Sequence, residues 1–270
     1  MTVTTLQAQP VAQAPLSYRK NVAMLRGPQL ATLRSAYRAS MQLGDDRGWQ
    51  YWAGIHGLPL PMSCQHHTPL FLAWHRAYLY YFELSLKDFE PTVTLPWWDW
   101  TSSWSHRVGF PVSYSVAEAG GEPNPLTGGP INALATQQGG QGAPDHTSRS
   151  PDDPANLPTA AQVNQLLALG DFLDFQQQLE SIHDGVHVWS GGTMAEIPYA
   201  AYDPVFFAHH CMIDRLWYLW QLRHPGGDPT GPFLQRALPP FPMTVGDTMD
   251  INALGYEYAV AEVAVTGGGR

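Results

Sequence analysis

The amino-acid sequence predicts a mainly α fold, a helical bundle with four core helices, long loops and a few short strands. Apolar residues recur at helical spacing in several separate stretches, and the last of these, VFFAHHCMIDRLWYLW, is apolar almost throughout. Between them lie segments rich in Gly and Pro, 25 and 24 of the 270 residues, which supply turns. No internal repeat and no linker divides the chain. Residues 17–270 therefore read as one domain behind a flexible polar tail, 1–16.

Residues 18–41 place Val22, Leu25, Leu30, Leu33, Ala36 and Tyr37 at helical intervals. Gly27-Pro28 interrupts the pattern, and because proline suits the first turn, the helix starts at Pro28. A second helix runs through Trp49, Trp52 and Ile55 and stops at Gly57, ahead of Pro59. From Thr68 or Pro69 to about Phe89 the pattern is apolar nearly all round, the mark of a buried helix. PTVTLPWWDWT (91–101) is extended and aromatic, with room for one short strand. Residues 102–161 are dense in Gly, Pro, Ser and Asn, a long surface excursion of the kind that often lines a site. Helical pattern returns over 160–189, with Gly191-Gly192 as its stop. The last strong helix follows Asp203-Pro204, a good N-cap and a good first residue, and continues to about His224. Beyond Pro225 the chain is again rich in Pro and Gly, with short strands expected near 256–265.

Lys plus Arg number 14 against 23 Asp plus Glu, a net charge of −9 that argues against nucleic acid or an anionic membrane as partner. The longest apolar stretch, 69–86, carries His75, Arg76 and Glu83, which excludes a transmembrane helix. The first sixteen residues have neither a basic start nor an apolar core, so no secretory leader is expected. A cytoplasmic location follows, or export in the company of a partner. Two cysteines, Cys64 and Cys211, imply no disulfide framework, and Cys211 reads as a small buried hydrophobe.

Eleven histidines decide the rest. His183 and His187, four apart on a predicted helix, project from one face with Cβ atoms about 5–6 Å apart, half of a metal site. The next helix offers His209 and His210 inside its apolar run, where unpartnered rings would be costly, so these are bonded or ligating. The first half of the chain repeats the logic. His75 sits mid-helix in FLAWHRAYLYYFE, and His66 lies nine residues earlier, about 13.5 Å away on one continuous helix. Pro69 starts the helix after it, which leaves His66 on a loop free to fold back. His56 ends the preceding helix. Each half thus supplies three histidines, partly on helices that can face one another, as in dimetal bundles, although the familiar cases use carboxylates. Hydrolytic zinc sites usually add a carboxylate, and HExxH is absent. Magnesium and calcium want oxygen ligands, and non-haem iron adds a carboxylate. Six neutral imidazoles suit copper cycling between Cu(I) and Cu(II). The tryptophans Trp97, Trp98, Trp100, Trp217 and Trp220 read as core and wall packing, and His106, His146 and His224 as exposed loop residues.

At these residues the chain resembles the tyrosinases, members of the type-3 copper family that includes catechol oxidases and haemocyanins. The matching pieces are RKN (19–21), CQHHTPLFLAWHRAYLYYFE (64–83), TLPWWDW (94–100), LESIHDGVHVWSGG (179–192) and DPVFFAHHCMIDRLWYLWQ (203–221). They span nearly the whole chain in family order.

The resemblance implies two copper ions that bind O2. It places copper A on His56, His66 and His75, and copper B on His183, His187 and His210. His209 and Asp214 become supporting groups behind those ligands. Cys64, two residues before His66, implies a thioether to that ring. Glu180 matches a glutamate that holds a water near copper B, a general base for a docking phenol. Asp184 stands where strong phenol hydroxylases often carry Asn. Two nearby carboxylates alter the basicity of that water, which makes catechol oxidation to o-quinones the first expectation and ortho-hydroxylation of monophenols such as tyrosine the second. Ile197 falls at the place of a gate over copper A, and Val188 offers no charge to a carboxylated substrate. The substrate's ring is expected over His187.

The same ligands would serve an o-aminophenol oxidase or an O2 carrier of haemocyanin type. Carriers cover copper A with a further domain or an aromatic plug, and plant and fungal oxidases carry a C-terminal shielding domain. No such domain is expected here, which favours a small oxidase of bacterial type. The partners implied are a phenolic or catecholic small molecule, O2 and, for an exported enzyme, a copper-delivery carrier protein.

Overall fold

Eight helices and four short strands carry residues 16–259, the part of the chain that the computed structural model describes. The expected tail, 1–16, lies outside the described residues apart from Leu16, and so does the expected C-terminal strand beyond Ala259. Strand β1 (Ser17–Arg19) precedes α1 (Gly27–Met41), which has Pro28 in its first turn and buries Leu33, Ala36 and Tyr37. Helix α2 (Trp49–His56) stops at Gly57. A Cβ there would stand 2.1 Å from the Pro198 carbonyl oxygen, so only glycine lets the 197–198 backbone pass this close to His56. Helix α3 (Phe71–Lys87) is buried along most of its length. It starts later than Thr68 or Pro69 because Thr68 forms the turn before it, its carbonyl accepting from the Phe71 N–H and its hydroxyl from the Leu70 N–H.

The excursion is better ordered than its composition suggests. It contains α4 (Ser105–Val108), the two-residue strands β2 (Glu118–Ala119) and β3 (Glu122–Pro123), and α5 (Ala133–Gly139). Arg149 ties it down, paired through Nη2 and Nε with the buried Asp203 at 2.6 and 2.7 Å. The last helix begins one residue later than expected, at Val205, with Pro204 rather than Asp203 in the N-cap place, and Asp203 accepts the Val205 N–H from just before it. The pattern over 160–189 resolves into two helices, α6 (Ala160–Leu166) and α7 (Phe172–Ser190). Asp171 makes the break by accepting the N–H groups of Leu173 and Asp174, a fresh N-cap that period counting overlooks. Helix α8 (Val205–Arg223) follows, and β4 (Tyr256–Tyr258) pairs in parallel with β1, Ser17 opposite Tyr256 and Arg19 opposite Tyr258. The 91–101 segment forms no strand. Its one ladder contact is a bridge from Trp97 to Asn21.

Helices α3 and α8 pack on one another and α7 packs on α3, with Phe82 and Phe207 stacked at 3.9 Å between ring centroids. Trp97, Trp98, Trp100, Trp217 and Trp220 are all buried in this core. None of the described helices is long and apolar enough to cross a membrane.

Candidate metal centre

Helices α2, α3, α7 and α8 and the loop before α3 bring six of the eleven histidines together. His183 and His187 project from one face of α7, their ring centroids 4.5 Å apart. His210 meets them from α8, its Nε2 3.1 Å from His183 Nε2 and 3.3 Å from His187 Nε2. On the other side His56, His66 and His75 converge with centroids 5.2–5.6 Å apart. The two groups touch where His75 stacks on His210 at 4.7 Å. His67 turns away and is 75% exposed.

Outer partners set which nitrogen faces inward. His183 Nδ1 lies 3.0 Å from Asp184 Oδ1, His187 Nδ1 2.7 Å from the Met194 carbonyl and His75 Nδ1 2.8 Å from the Phe71 carbonyl. Each of these Nδ1–H groups donates outward, which leaves its Nε2 a bare lone pair. One proton on His210 Nε2 cannot serve two such lone pairs well, whereas a cation serves all three. The spacing is about that of imidazole nitrogens held roughly 2 Å from a common metal. Across from them His75 Nε2 and both ring nitrogens of His56 are buried without any partner, a cost that a metal removes. The donor set therefore fits a pair of imidazole-bound cations.

Burial holds His56, His75, His183, His209 and His210 well below the usual imidazole range, and neighbouring rings add to it. The same burial pushes His66 and His187 down to about 4. All seven are neutral near pH 7, the form that binds metal.

The supporting residues are placed less uniformly. His209 is buried with no partner at either nitrogen, its ring stacked on His183 at 5.1 Å. Asp214, expected behind His210, bonds through its carboxylate to no histidine among the described residues. Its carboxylate accepts from Arg76 Nε at 2.5 Å and from the Tyr256 and Tyr258 hydroxyls at 2.8 and 2.6 Å, with Arg19 Nη1 at 3.4 Å. Burial raises its pKa, but Arg76 and Arg19 together hold it below the ordinary carboxylate range. The reason lies in the helix: four residues beyond His210, Asp214 looks along α8 toward the terminal strands. Cys64 is half-buried, grouped with His56 and His66 so that one donor atom of each lies within 4.8 Å of the others. Burial pushes its thiol up to about 11.

A cavity of about 200 Å³ reaches the histidines, lined among others by His56, His66, His187, Asp184, Val188 and Ile197. Val188 is 71% and Ile197 45% exposed at its rim. Glu180 does not line it. Burial raises the Glu180 pKa, and its Oε1 accepts the backbone N–H of His67 at 2.6 Å. The excursion, expected along the site, packs elsewhere. His106 and His224 are half-buried, bound to the carbonyls of Pro158 and Leu167, whereas His146 is exposed beside Asp145. Phe206 escaped notice: it stacks on His210 at 3.9 Å and meets His56 edge-on at 4.8 Å. Its place one helical turn before His210 was the available signal.

Residues 46–223 match a family model described as the common central domain of tyrosinase. Hemocyanin units G and H of Sepia officinalis are 32% identical over 224 residues, covering 75% of this chain and 37% of that protein. Grixazone synthase of Streptomyces griseus is 33% identical over 214 residues, covering 59% of this chain and 67% of that one. The chain spans 37% of the Sepia officinalis haemocyanin units and 7% of hemocyanins 1 and 2 of Megathura crenulata. A functional unit of octopus hemocyanin superposes with a TM-score of 0.77 at 28% identity, covering 89% of this chain and 67% of that chain. A tyrosinase of Burkholderia thailandensis gives 0.75 at 21% identity, over 90% of this chain and 73% of that one, a likeness of fold.

Proposed function

We propose, because the chain belongs to the tyrosinase family of type-3 copper proteins, that its two histidine triads hold two copper ions and that it oxidises o-diphenols to o-quinones with O2. The observation that carries this reading is the convergence of three Nε2 atoms opposite a second set of orphaned imidazoles, at the base of a cavity with an open aliphatic rim. His56, His66 and His75 would hold one ion, and His183, His187 and His210 the other. Such a pair supplies electron exchange with O2, so that two catechols become two quinones while one O2 becomes two waters.

The chain's own residues do the rest. Phe71, Asp184 and Met194 keep three of the rings aimed inward. Phe206 fills the space beneath His210 and His56 and keeps water out from under both. Val188 and Ile197 admit a phenol ring over His187 without selecting for charge. Asp184 edges the cavity and is the proton acceptor for a docking phenol: its Oδ1 is engaged with His183, and Oδ2 remains free. With that acceptor, ortho-hydroxylation of monophenols accompanies catechol oxidation as the lesser activity. A thioether from Cys64 to His66 belongs to the same reading, supported by their grouping with His56. Forming it would break the Cys64 S–H and a His66 ring C–H bond, their two electrons and two protons passing to O2, and would lower the intact mass by two hydrogens.

The haemocyanin relatives favour a second reading, reversible O2 carriage. One experiment separates the two. The copper-loaded protein is treated with peroxide, its near-ultraviolet absorption recorded, and tyrosine or a catechol added. Two coppers per chain and an intense new band that decays with catechol, leaving quinone, are expected. A band that persists with both substrates overturns catechol oxidation and leaves a carrier or an o-aminophenol oxidase, which addition of an o-aminophenol separates. No band, or a preference for zinc, overturns the dicopper reading.

A further inference from the structure

We propose that Glu180 and Gln176 form a two-point clamp by which helix α7 positions the loop that carries His66, with Glu180 a positioning residue rather than a proton acceptor. The inference rests on the dicopper reading for its consequence, but the clamp itself is visible without metal. Gln176 and Glu180 lie one turn apart on α7 and both are buried, 4% and 5% exposed. They grip consecutive backbone groups of a loop more than a hundred residues earlier. Glu180 Oε1 accepts the His67 N–H at 2.6 Å, and Gln176 Nε2 donates to the Thr68 carbonyl at 3.1 Å.

The loop needs holding. His67 has φ +54, and among the described residues no other non-glycine takes a positive φ. That conformation costs a histidine free energy unless its surroundings impose it. With its side chain largely in solvent, His67 is held through its N–H, and its Nδ1 comes no nearer than 3.9 Å to the same Glu180 oxygen. The twist at His67 directs His66 inward to His56 and His75 while the next side chain points out. The clamp thus joins a ligand of the first triad to the helix that bears His183 and His187. Ordering α7 through the second triad places His66 for the first, so the two coppers load cooperatively.

Three variants test this: Glu180→Ala, Glu180→Gln and Gln176→Ala. In the metal-free protein, exchange of the His67 amide is expected to quicken on the order of ten- to a hundredfold in Glu180→Ala, the size of a lost hydrogen bond to a charged acceptor. Glu180→Gln keeps a carbonyl acceptor in place and restores most of the protection. On copper loading, Glu180→Ala is expected to hold one copper per chain tightly, with the paramagnetic resonance of an isolated Cu(II), while Glu180→Gln returns to two. Unchanged exchange and two coppers in Glu180→Ala, with turnover lost, would overturn the clamp and make Glu180 the base. So would a Glu180→Gln variant that behaves as Glu180→Ala does. Should Glu180→Ala fail to fold, Gln176→Ala decides, since an unchanged His67 amide there also overturns the proposal. If the wild-type chain takes up no copper, the proposed function falls while the amide measurement still reports on the clamp.

Discussion

Seven imidazoles gathered in one buried cluster set an acid limit on the metal-free chain. Their folded pKa values lie below the ordinary 6.5, with His66 and His187 at about 4. Between those values the unfolded chain binds more protons than the folded one, so stability rises with pH and is lost as pH falls from about 6.5 toward 4. His66 and His187 each cost about a factor of ten in the folding equilibrium per pH unit across that window. The urea midpoint of the metal-free protein is therefore expected to drop steeply between pH 7 and pH 5, and a flat midpoint would contradict this account. His183 and His187 were legible from their spacing on one helix, whereas the full set of six, with His66 on a loop and His210 preferred to His209, rested on the family resemblance. The outer partners of these rings were not legible. The Phe71 and Met194 carbonyls are main-chain atoms that leave no mark in residue type, and the Glu180 clamp depends on a backbone twist at His67.

At the scale of elements, the excursion and the end of α7 are built for one another. The Ser150 N–H donates to the Ser190 carbonyl and the Thr193 N–H to the Ser148 carbonyl. Gly191 has φ +61, and a Cβ there would stand 2.2 Å from the Ser150 oxygen. Gly191→Ala is expected to cost at least about 1–2 kcal/mol from the left-handed backbone alone, and more from the collision, read as a lower melting temperature. An unshifted melting temperature would mean that the excursion is free to move off. The helices themselves were readable from their period and caps. Where the reading failed, at the break between α6 and α7 and in the ordered excursion, a single capping aspartate and long-range packing outweighed the local pattern.

Across the whole molecule, Asp214 is the node that closes the chain. It joins Arg19 of β1, Arg76 of α3 and the two tyrosines of β4, so Arg19 and Tyr258, 239 positions apart, share one buried carboxylate. Arg19 also donates to Glu83 at 2.9 Å. Removing one partner from a buried ion pair costs about 3–5 kcal/mol, so Asp214→Asn is expected to lower stability to denaturant by that order while leaving the metal-site histidines in place. Copper uptake lost in step with unchanged stability would instead return Asp214 to the role of a ligand support. RKN and Asp214 both stood out in the sequence, but nothing local says that they meet.

The parallel pairing of β1 with β4 gives this closure a mechanical character. A pull on residues 16 and 259 drags the two strands lengthwise past one another, loading the bonds from Ser17 to Gly255 and from Ala259 to Arg19 together instead of opening them one by one. The Arg19 side chain, anchored on Glu83 and Asp214, resists the same slide. Tension between residues 16 and 259 is thus borne at a shear clamp, and Arg19 passes part of that load through Glu83 and Asp214 to α3 and α8, the helices that carry His75 and His210.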